Sequence, residues 1–152
     1  MGLFGDVDVA EIPDDPFWVD DGVYFCVLTE AKHIVPKTED KNHGVALRFV
    51  IQEEDSEFDG SQLNLWRNYY PGIKKDELTK EIKQDLSRLK NTMIQIGVSE
   101  DEMDQENFFE EVLPSYIGTE AYVTVKNTTA QDNPEKKYRN ITGIRLPAPD
   151  EE

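Results

Sequence analysis

The sequence contains one cysteine and two histidines in 152 residues, so it offers few soft ligands for a metal. Cys26 has no partner for an internal disulfide, which fits a reducing cytoplasm, and its apolar neighbours indicate a core residue. His33 and His43 do not keep metal-ligand spacing with Cys26. The sequence therefore predicts neither a zinc site nor a cofactor.

Long apolar runs are also missing, since no stretch approaches the roughly 18 residues that a membrane span requires. The first six residues have no basic region and no long apolar segment, so we expect no signal peptide and no membrane association. The sequence has no glycine-rich phosphate loop and no Ser-His-Asp-like set, and its acidic pairs fall in predicted loops. We therefore expect a protein that is not an enzyme.

Positive charge is scarce and unevenly placed in a chain of net charge −16. Residues 1–21 carry acids and no Lys or Arg, and further acidic blocks lie at 53–59, 100–111 and 150–152. The bases gather in residues 64–90 and 126–145. The net charge alone argues against nucleic acid, because phosphate contacts dominate that affinity. The block pattern leaves two interpretations open, a solvated surface or a basic face bounded by acidic loops.

Hydrophobic periodicity predicts strands over residues 22–35, 45–52, 61–69, 119–126 and 137–146. Apolar residues spaced by three or four predict a helix over 76–96, and Ser99 with Glu102 matches a capping box. A second helix is predicted to run through Phe108 and to end before Pro114. The predicted fold is mainly β with a helical insert (α+β), an OB-like five-stranded barrel with one or two helices between strands three and four.

The predicted domain organisation has three parts. Residues 1–21 form a flexible acidic N-terminal arm, residues 22–146 form the OB-like domain, and residues 147–152 form a short acidic tail.

Short motifs along residues 22–146 carry a resemblance to a known family. They are Gly22-Val23-Tyr24, Leu47-Arg48-Phe49, Asp59-Gly60, Leu63-Asn64-Leu65-Trp66, Leu89, Ile96-Gly97, and Gly118 followed by Tyr122-Val123-Thr124-Val125-Lys126. This pattern resembles a phage family of OB-fold single-stranded DNA-binding proteins formerly labelled as a domain of unknown function. The resemblance implies DNA replication or recombination in the cytoplasm of the infected bacterial host, with phage or host replication and recombination proteins as further partners.

Binding of single strands needs flat rings for stacking and cations for the phosphates. Alternation places Trp66 opposite Leu63 and Leu65, either outside the barrel or as core under the helix. Arg48 points away from the apolar face of its strand, towards DNA or into a surface salt bridge. The candidate nucleic-acid-binding residues are Lys32, Lys37, Lys41, Arg48, Trp66, Arg67, Tyr69, Tyr70, Lys126, Lys137, Tyr138 and Arg139.

Three functions are consistent with these features. The first is sequence-independent binding of single-stranded DNA, for which a continuous basic groove lined by Arg48, Arg67 and Lys126 is expected. The second is an acidic DNA mimic or inhibitor of a host nucleic-acid enzyme, which the net charge of −16 favours. The third is a non-enzymatic phage interaction module.

Overall fold

The structure, a computed structural model, describes residues 3, 5, 6, 19–38, 41–129 and 137–147, and only the backbone of 129 and 137–139. Most of the predicted arm and tail lies outside these residues. Val19 is completely buried, its carbonyl accepts a hydrogen bond from Asn127 Nδ2 (3.0 Å), and Asp21 Oδ1 accepts another (2.8 Å). The chain from Val19 onwards therefore packs on the folded domain. Within the described part of the chain, no helix has the length and hydropathy needed to cross a bilayer.

Five strands form one antiparallel sheet with the order β3-β2-β1-β4-β5. Their bounds are β1 Gly22–Ile34, β2 His43–Ile51, β3 Gln62–Tyr69, β4 Glu120–Thr129 and β5 Lys137–Arg145. The prediction of a mainly β fold with helical segments between strands three and four is confirmed. The sheet is open rather than closed into a barrel, because no described backbone hydrogen bond joins the edge strands β3 and β5. Their Cα atoms nevertheless approach within 8 Å.

The core lies on the concave side of the sheet, where alternate residues of each strand point inwards. The predicted inward set of β2 is confirmed, since Val45, Leu47, Phe49 and Ile51 are all at most 2% exposed. Each such side chain contributes about 1.5–3 kcal/mol through burial of its apolar surface. Cys26 is also completely buried, and burial raises the pKa of its thiol to about 12, so it is a core residue as predicted.

Helix α1 (Lys80–Gln95) lies between β3 and β4 in the chain and packs on both β3 and β5. It begins later than predicted because Thr79 is the N-cap, its hydroxyl accepting from the Ile82 N–H at 3.2 Å, while Lys75–Glu77 form a 3-10 turn. Its end matches the prediction. Gly97 has φ +105°, and the Val98 N–H donates to the Met93 carbonyl in a Schellman motif.

The helical segment after α1 is more broken than predicted. The Ser99–Glu102 capping box is confirmed, but helix α2 (Glu100–Met103) has only one turn. A π-helical turn (Phe108–Val112) and a 3-10 turn (Leu113–Tyr116) follow in place of the second predicted helix. The second helix was predicted to end before Pro114, but Pro114 lies inside the 3-10 turn. Proline is tolerated in the first turn of a helix, because its missing N–H is not needed there.

Candidate nucleic-acid interface

Strand register brings three of the predicted residues together on the outer, convex side of β1, β2 and β3. Lys32 pairs with Ala46, and Ala46 pairs in turn with Trp66. A β-bulge between Leu28 and Glu30 sets this register, so that Glu30 lies opposite Arg48. We call the resulting depression of about 260 Å³ the outer-face groove. Its polar and aromatic lining residues are Glu30, Lys32, Arg48, Asn64 and Trp66.

Trp66 is the aromatic residue among those that line this groove, and 46% of its surface is accessible. Its six-membered ring lies directly on Gly44 of the neighbouring strand, so closely that a Cβ at Gly44 would overlap the ring. The indole N–H donates to Asn68 Oδ1 at 3.1 Å. Trp66 is therefore not core under the helix, which was the open alternative. It presents one supported, oriented ring face to the solvent.

A carboxylate on α1 holds the groove's tryptophan in place through Asn68. Asp85 Oδ2 accepts from Asn68 Nδ2 at 3.1 Å and from the Tyr70 hydroxyl at 2.6 Å. Asp85 Oδ1 accepts from Arg88 at 3.2 Å. The Tyr70 hydroxyl, followed by Asn68, lowers the pKa of Asp85, while the same bond raises the pKa of Tyr70. The hydroxyl of Tyr70 is thus hydrogen-bonded to α1, and Tyr70 itself lies just after the end of β3, beside the groove.

The two cations of the groove share one acidic neighbour. Arg48 Nη1 lies 3.3 Å from Glu30 Oε1, and Lys32 Nζ lies 3.8 Å from Glu30 Oε2. Arg48 Nε also donates to Asn64 Oδ1 at 3.1 Å. The surface salt bridge left open for Arg48 therefore forms. Pairs this exposed are worth at most about 1 kcal/mol, so the contacts with Glu30 hold the two cations only weakly.

Arg67 and Tyr69 point to the opposite face of β3, where Leu63 and Leu65 lie. Arg67 Nε donates to Thr92 Oγ1 of α1 at 3.0 Å. The Tyr69 ring is 4.9 Å from the His33 ring and 5.0 Å from the Phe109 ring, and burial raises the pKa of its hydroxyl. Tyr69 belongs to an aromatic cluster whose members are His33, His43, Tyr69, Phe108 and Phe109.

The two histidines of the aromatic cluster are held together by the pairing of β1 with β2. Their rings stack, and His33 Nε2 lies 2.8 Å from His43 Nδ1, so one nitrogen donates and the other accepts. Burial, and then the neighbouring His43, lower the pKa of His33.

The remaining candidate residues lie away from the groove or outside the described side chains. Lys37 and Lys41 are exposed in the loop between β1 and β2, of which residues 39–40 are not described. Lys126 is exposed on β4 and follows Val125, the partner of Gly22 at the start of β1. Lys126 is thus about 25 Å or more from Lys32 along the strand. The side chains of Lys137, Tyr138 and Arg139 lie outside the described residues.

The expected continuous groove through Arg48, Arg67 and Lys126 is not assembled. Arg48 lies on the outer face of β2, Arg67 on the inner face of β3, and Lys126 at the far end of β4.

Five residues that shape the groove were missing from the sequence-based set: Glu30, Gly44, Asn64, Asn68 and Asp85. The alternation that placed Trp66 outside also places Asn64 and Asn68 there, so this signal was present. A glycine inside a strand is a sign of close approach by another group, and Gly44 fits that rule. Asp85 could not be found in this way, because its role depends on where α1 packs.

Comparison of the sequence with protein-family models and with the curated proteins gives no match. The resemblance to a phage family therefore remains a prediction. The described residues contain no group of three or more His, Cys, Asp and Glu side chains arranged to hold a metal ion.

Proposed function

We propose that the protein binds single-stranded DNA without sequence preference, in phage DNA replication or recombination, and that the outer-face groove is the binding surface. The observation that carries the proposal is the ring of Trp66. It is flat, half-exposed, supported from below by Gly44 and oriented by Asn68. Every base has a π-face, so a ring of this kind stacks on any sequence.

The topology supports the same proposal. In OB-folds the face of strands two and three and the loops joining strands one to two and four to five bind oligonucleotides. The order β3-β2-β1-β4-β5, with α1 between β3 and β4 in the chain, is what an OB-like barrel opened between β3 and β5 would have. Arg48 and Trp66 occupy the face of strands two and three, and Lys37 and Lys41 occupy the loop between strands one and two.

The cations of the groove give the proposal its electrostatic part. A base stacked on Trp66 would have its phosphates near Arg48 and Lys32. Both side chains are partly exposed, and among the described residues they are engaged by surface contacts with Glu30 and Asn64. With only a few cations, the logarithm of the affinity should fall with a shallow slope against the logarithm of salt concentration, about −0.7 per phosphate neutralised. We therefore expect modest affinity that is highest at low salt.

The test is a titration of full-length protein with fluorescent oligo-dT at low and high salt. Trp66→Ala should weaken binding by about 1–3 kcal/mol, or roughly five- to 150-fold. Ile117→Ala is the matched control, because Ile117 is as exposed as Trp66 but lies outside the groove. Absence of oligo-dT binding by the wild-type protein at low salt would rule out the function. Unchanged oligo-dT affinity of a folded Trp66→Ala variant would show that the outer-face groove is not the binding surface.

A second candidate, an acidic inhibitor of a host nucleic-acid enzyme, is favoured by the net charge of −16. Such a protein would bind a basic partner rather than DNA. One competition assay with labelled DNA and a basic DNA-binding protein distinguishes the two candidate functions. A DNA mimic releases the labelled DNA from that protein without binding oligo-dT itself, whereas the proposed DNA-binding protein shifts the oligo-dT directly.

A further inference from the structure

A second depression lies on the other side of β3, in the gap between the two open edges of the sheet. This inter-edge cleft has a volume of about 180 Å³, and α1 forms one of its walls. Arg67 of β3, Arg88, Asn91, Thr92 and Gln95 of α1, and residues 141–144 of β5 line it. Thr92 and Ile144 are buried at its floor, while Arg88, Asn91 and Gln95 are exposed at its mouth. The cleft is therefore polar, small and open to solvent.

The two arginines of the inter-edge cleft give it positive charge in a strongly acidic protein. Arg67 Nε is bound to Thr92 Oγ1 (3.0 Å) and Arg67 Nη1 to the Trp66 carbonyl (3.2 Å), both neutral acceptors. No described carboxylate lies within ion-pair distance of Arg67. Burial, followed by the nearby charge of Arg88, lowers the pKa of Arg67. A partly buried guanidinium without a counter-charge is costly unless an anion accompanies it.

Arg88 is only partly neutralised. Its Nη1 lies 3.2 Å from Asp85 Oδ1, its side chain remains 64% exposed, and its other N–H groups have no described acceptor. Asp85 is itself shared with Asn68 and Tyr70, on the side of α1 towards the end of β3. The guanidinium of Arg88 can therefore keep this contact and still donate into the cleft.

The neutral groups of the cleft add N–H groups that can donate hydrogen bonds to an anion. β5 is hydrogen-bonded only to β4 among the described strands, so alternate backbone groups along its free edge point towards the gap. The side-chain amides of Asn91 and Gln95 are exposed at the mouth. The volume is below the roughly 300–1,000 Å³ typical of sites for drug-sized ligands. It suits a tetrahedral oxyanion better than a whole nucleotide.

We propose that the inter-edge cleft binds a phosphate group, held by the guanidinium groups of Arg67 and Arg88 and by amide donors of α1 and β5. Arginine forks match the oxygens of phosphate, and such charge-assisted bonds are the stronger class. The site is separate from the outer-face groove, because Trp66 and Arg67 are consecutive residues on opposite faces of β3. It does not depend on the proposed function. The phosphate is either a backbone group of a strand that rounds the edge of β3 or a free phosphate.

The test is a titration of isotope-labelled full-length protein with inorganic phosphate, observed by NMR at constant ionic strength against chloride. We expect saturable shifts of the Arg67 Nε–H and of the backbone amides of Thr92 and Gly143, with no comparable saturation at Lys32 and Arg48, which are paired with Glu30. Shifts that stay linear up to tens of millimolar phosphate, or that occur equally over the whole surface, would overturn the site.

Matched variants distinguish specific binding of phosphate in the cleft from non-specific attraction of phosphate to positive charge. Arg88→Gln should weaken phosphate binding at least about tenfold, as expected for loss of a charge-assisted bond. Lys83→Gln removes the same charge from an exposed position of the same helix outside the cleft, and it should leave binding unchanged. Arg67→Lys keeps the charge but not the fork, and should also weaken binding. Equal weakening by Arg88→Gln and Lys83→Gln would overturn the proposal.

Oligo-dT added to the phosphate-loaded protein identifies the source of the anion. Displacement of phosphate indicates that the strand's own backbone occupies the cleft, and simultaneous binding of both indicates a free phosphate. Both results support the anion site. If phosphate binds in the cleft and oligo-dT does not bind at all, the proposed function fails while the anion site stands.

Discussion

Trp66 and Tyr69 lie three residues apart on β3, and their surroundings differ completely. Trp66 is on the outer face, 46% exposed and resting on a glycine. Tyr69 is on the inner face, packed between His33 and Phe109. Both rings are aromatic, and both were candidates for stacking with bases. The comparison teaches that residue type alone does not show whether a ring is accessible, because accessibility depends on the face of the strand and on what the neighbouring strand places beside the ring.

The sharpest contrast between the two faces should appear in stability. Leu63→Ala, on the inner face and completely buried, should lower the free energy of unfolding by about 2–5 kcal/mol. Gln62→Ala, the exposed neighbour on the outer face, should change it by less than about 0.5 kcal/mol. Urea denaturation measures both. Similar losses for the two variants would contradict the assignment of the faces.

Tyr69→Ala should separate stability from binding. The ring is only partly buried, so we expect a loss of about 2 kcal/mol in the free energy of unfolding, below the 3–5 kcal/mol of a fully buried ring. Oligo-dT affinity, measured at a temperature where the variant is folded, should stay unchanged. Trp66→Ala is the mirror-image control, with lost affinity and a smaller loss of stability. An affinity loss for folded Tyr69→Ala would place the inner face in the binding site.

Gly44→Ala tests the support beneath Trp66. The new Cβ would overlap the indole, so the ring must swing away from the strand into solvent. We expect red-shifted Trp66 fluorescence in a Trp18→Phe background, and oligo-dT binding weakened by about 1 kcal/mol, the lower end of a stacking contribution. Gly22→Ala is the control, since a Cβ there meets Tyr24 no closer than 3.4 Å. Unchanged fluorescence in Gly44→Ala would contradict the close contact.

The smallest expected effect is a pH dependence of stability from the aromatic cluster. Burial and His43 lower the pKa of His33 in the folded protein, against a weaker opposite effect of Glu110. The unfolded chain therefore binds more protons as the pH falls. The contribution of His33 is fully present above its unfolded pKa of about 6.5 and is lost as the pH falls through the lower folded value.

Melting temperatures measured between pH 7.5 and pH 5 should therefore decrease, and the decrease should be shallower in His33→Gln. The slope is the relevant quantity, because His33→Gln also removes a ring contact and lowers stability at every pH. Parallel slopes in the two proteins would show that His33 does not titrate as described.

The strands, their inward residues and both helix-capping signals could be predicted from the sequence, because they depend on local periodicity and local hydrogen bonds. The alternation of Leu63 and Leu65 placed Trp66 correctly. The same alternation assigns Arg67 and Tyr69 to the inner face, although both were included among the candidate nucleic-acid-binding residues. Local sequence could not show that His33 contacts His43, because that contact depends on the register between β1 and β2. The opening between β3 and β5 is likewise a property of the assembled sheet.

The position of α1 over the gap between β3 and β5 also bears on self-association. An open sheet has two edges with free backbone groups, and such edges invite pairing with strands of other molecules and the growth of fibres. Here the two edges turn towards each other and α1 packs across both, so an approaching strand meets a helix instead of a template. A net charge of −16 keeps copies apart at longer range. The fold thus leaves a cleft of about 180 Å³ between its two edges, with α1 as one of its walls.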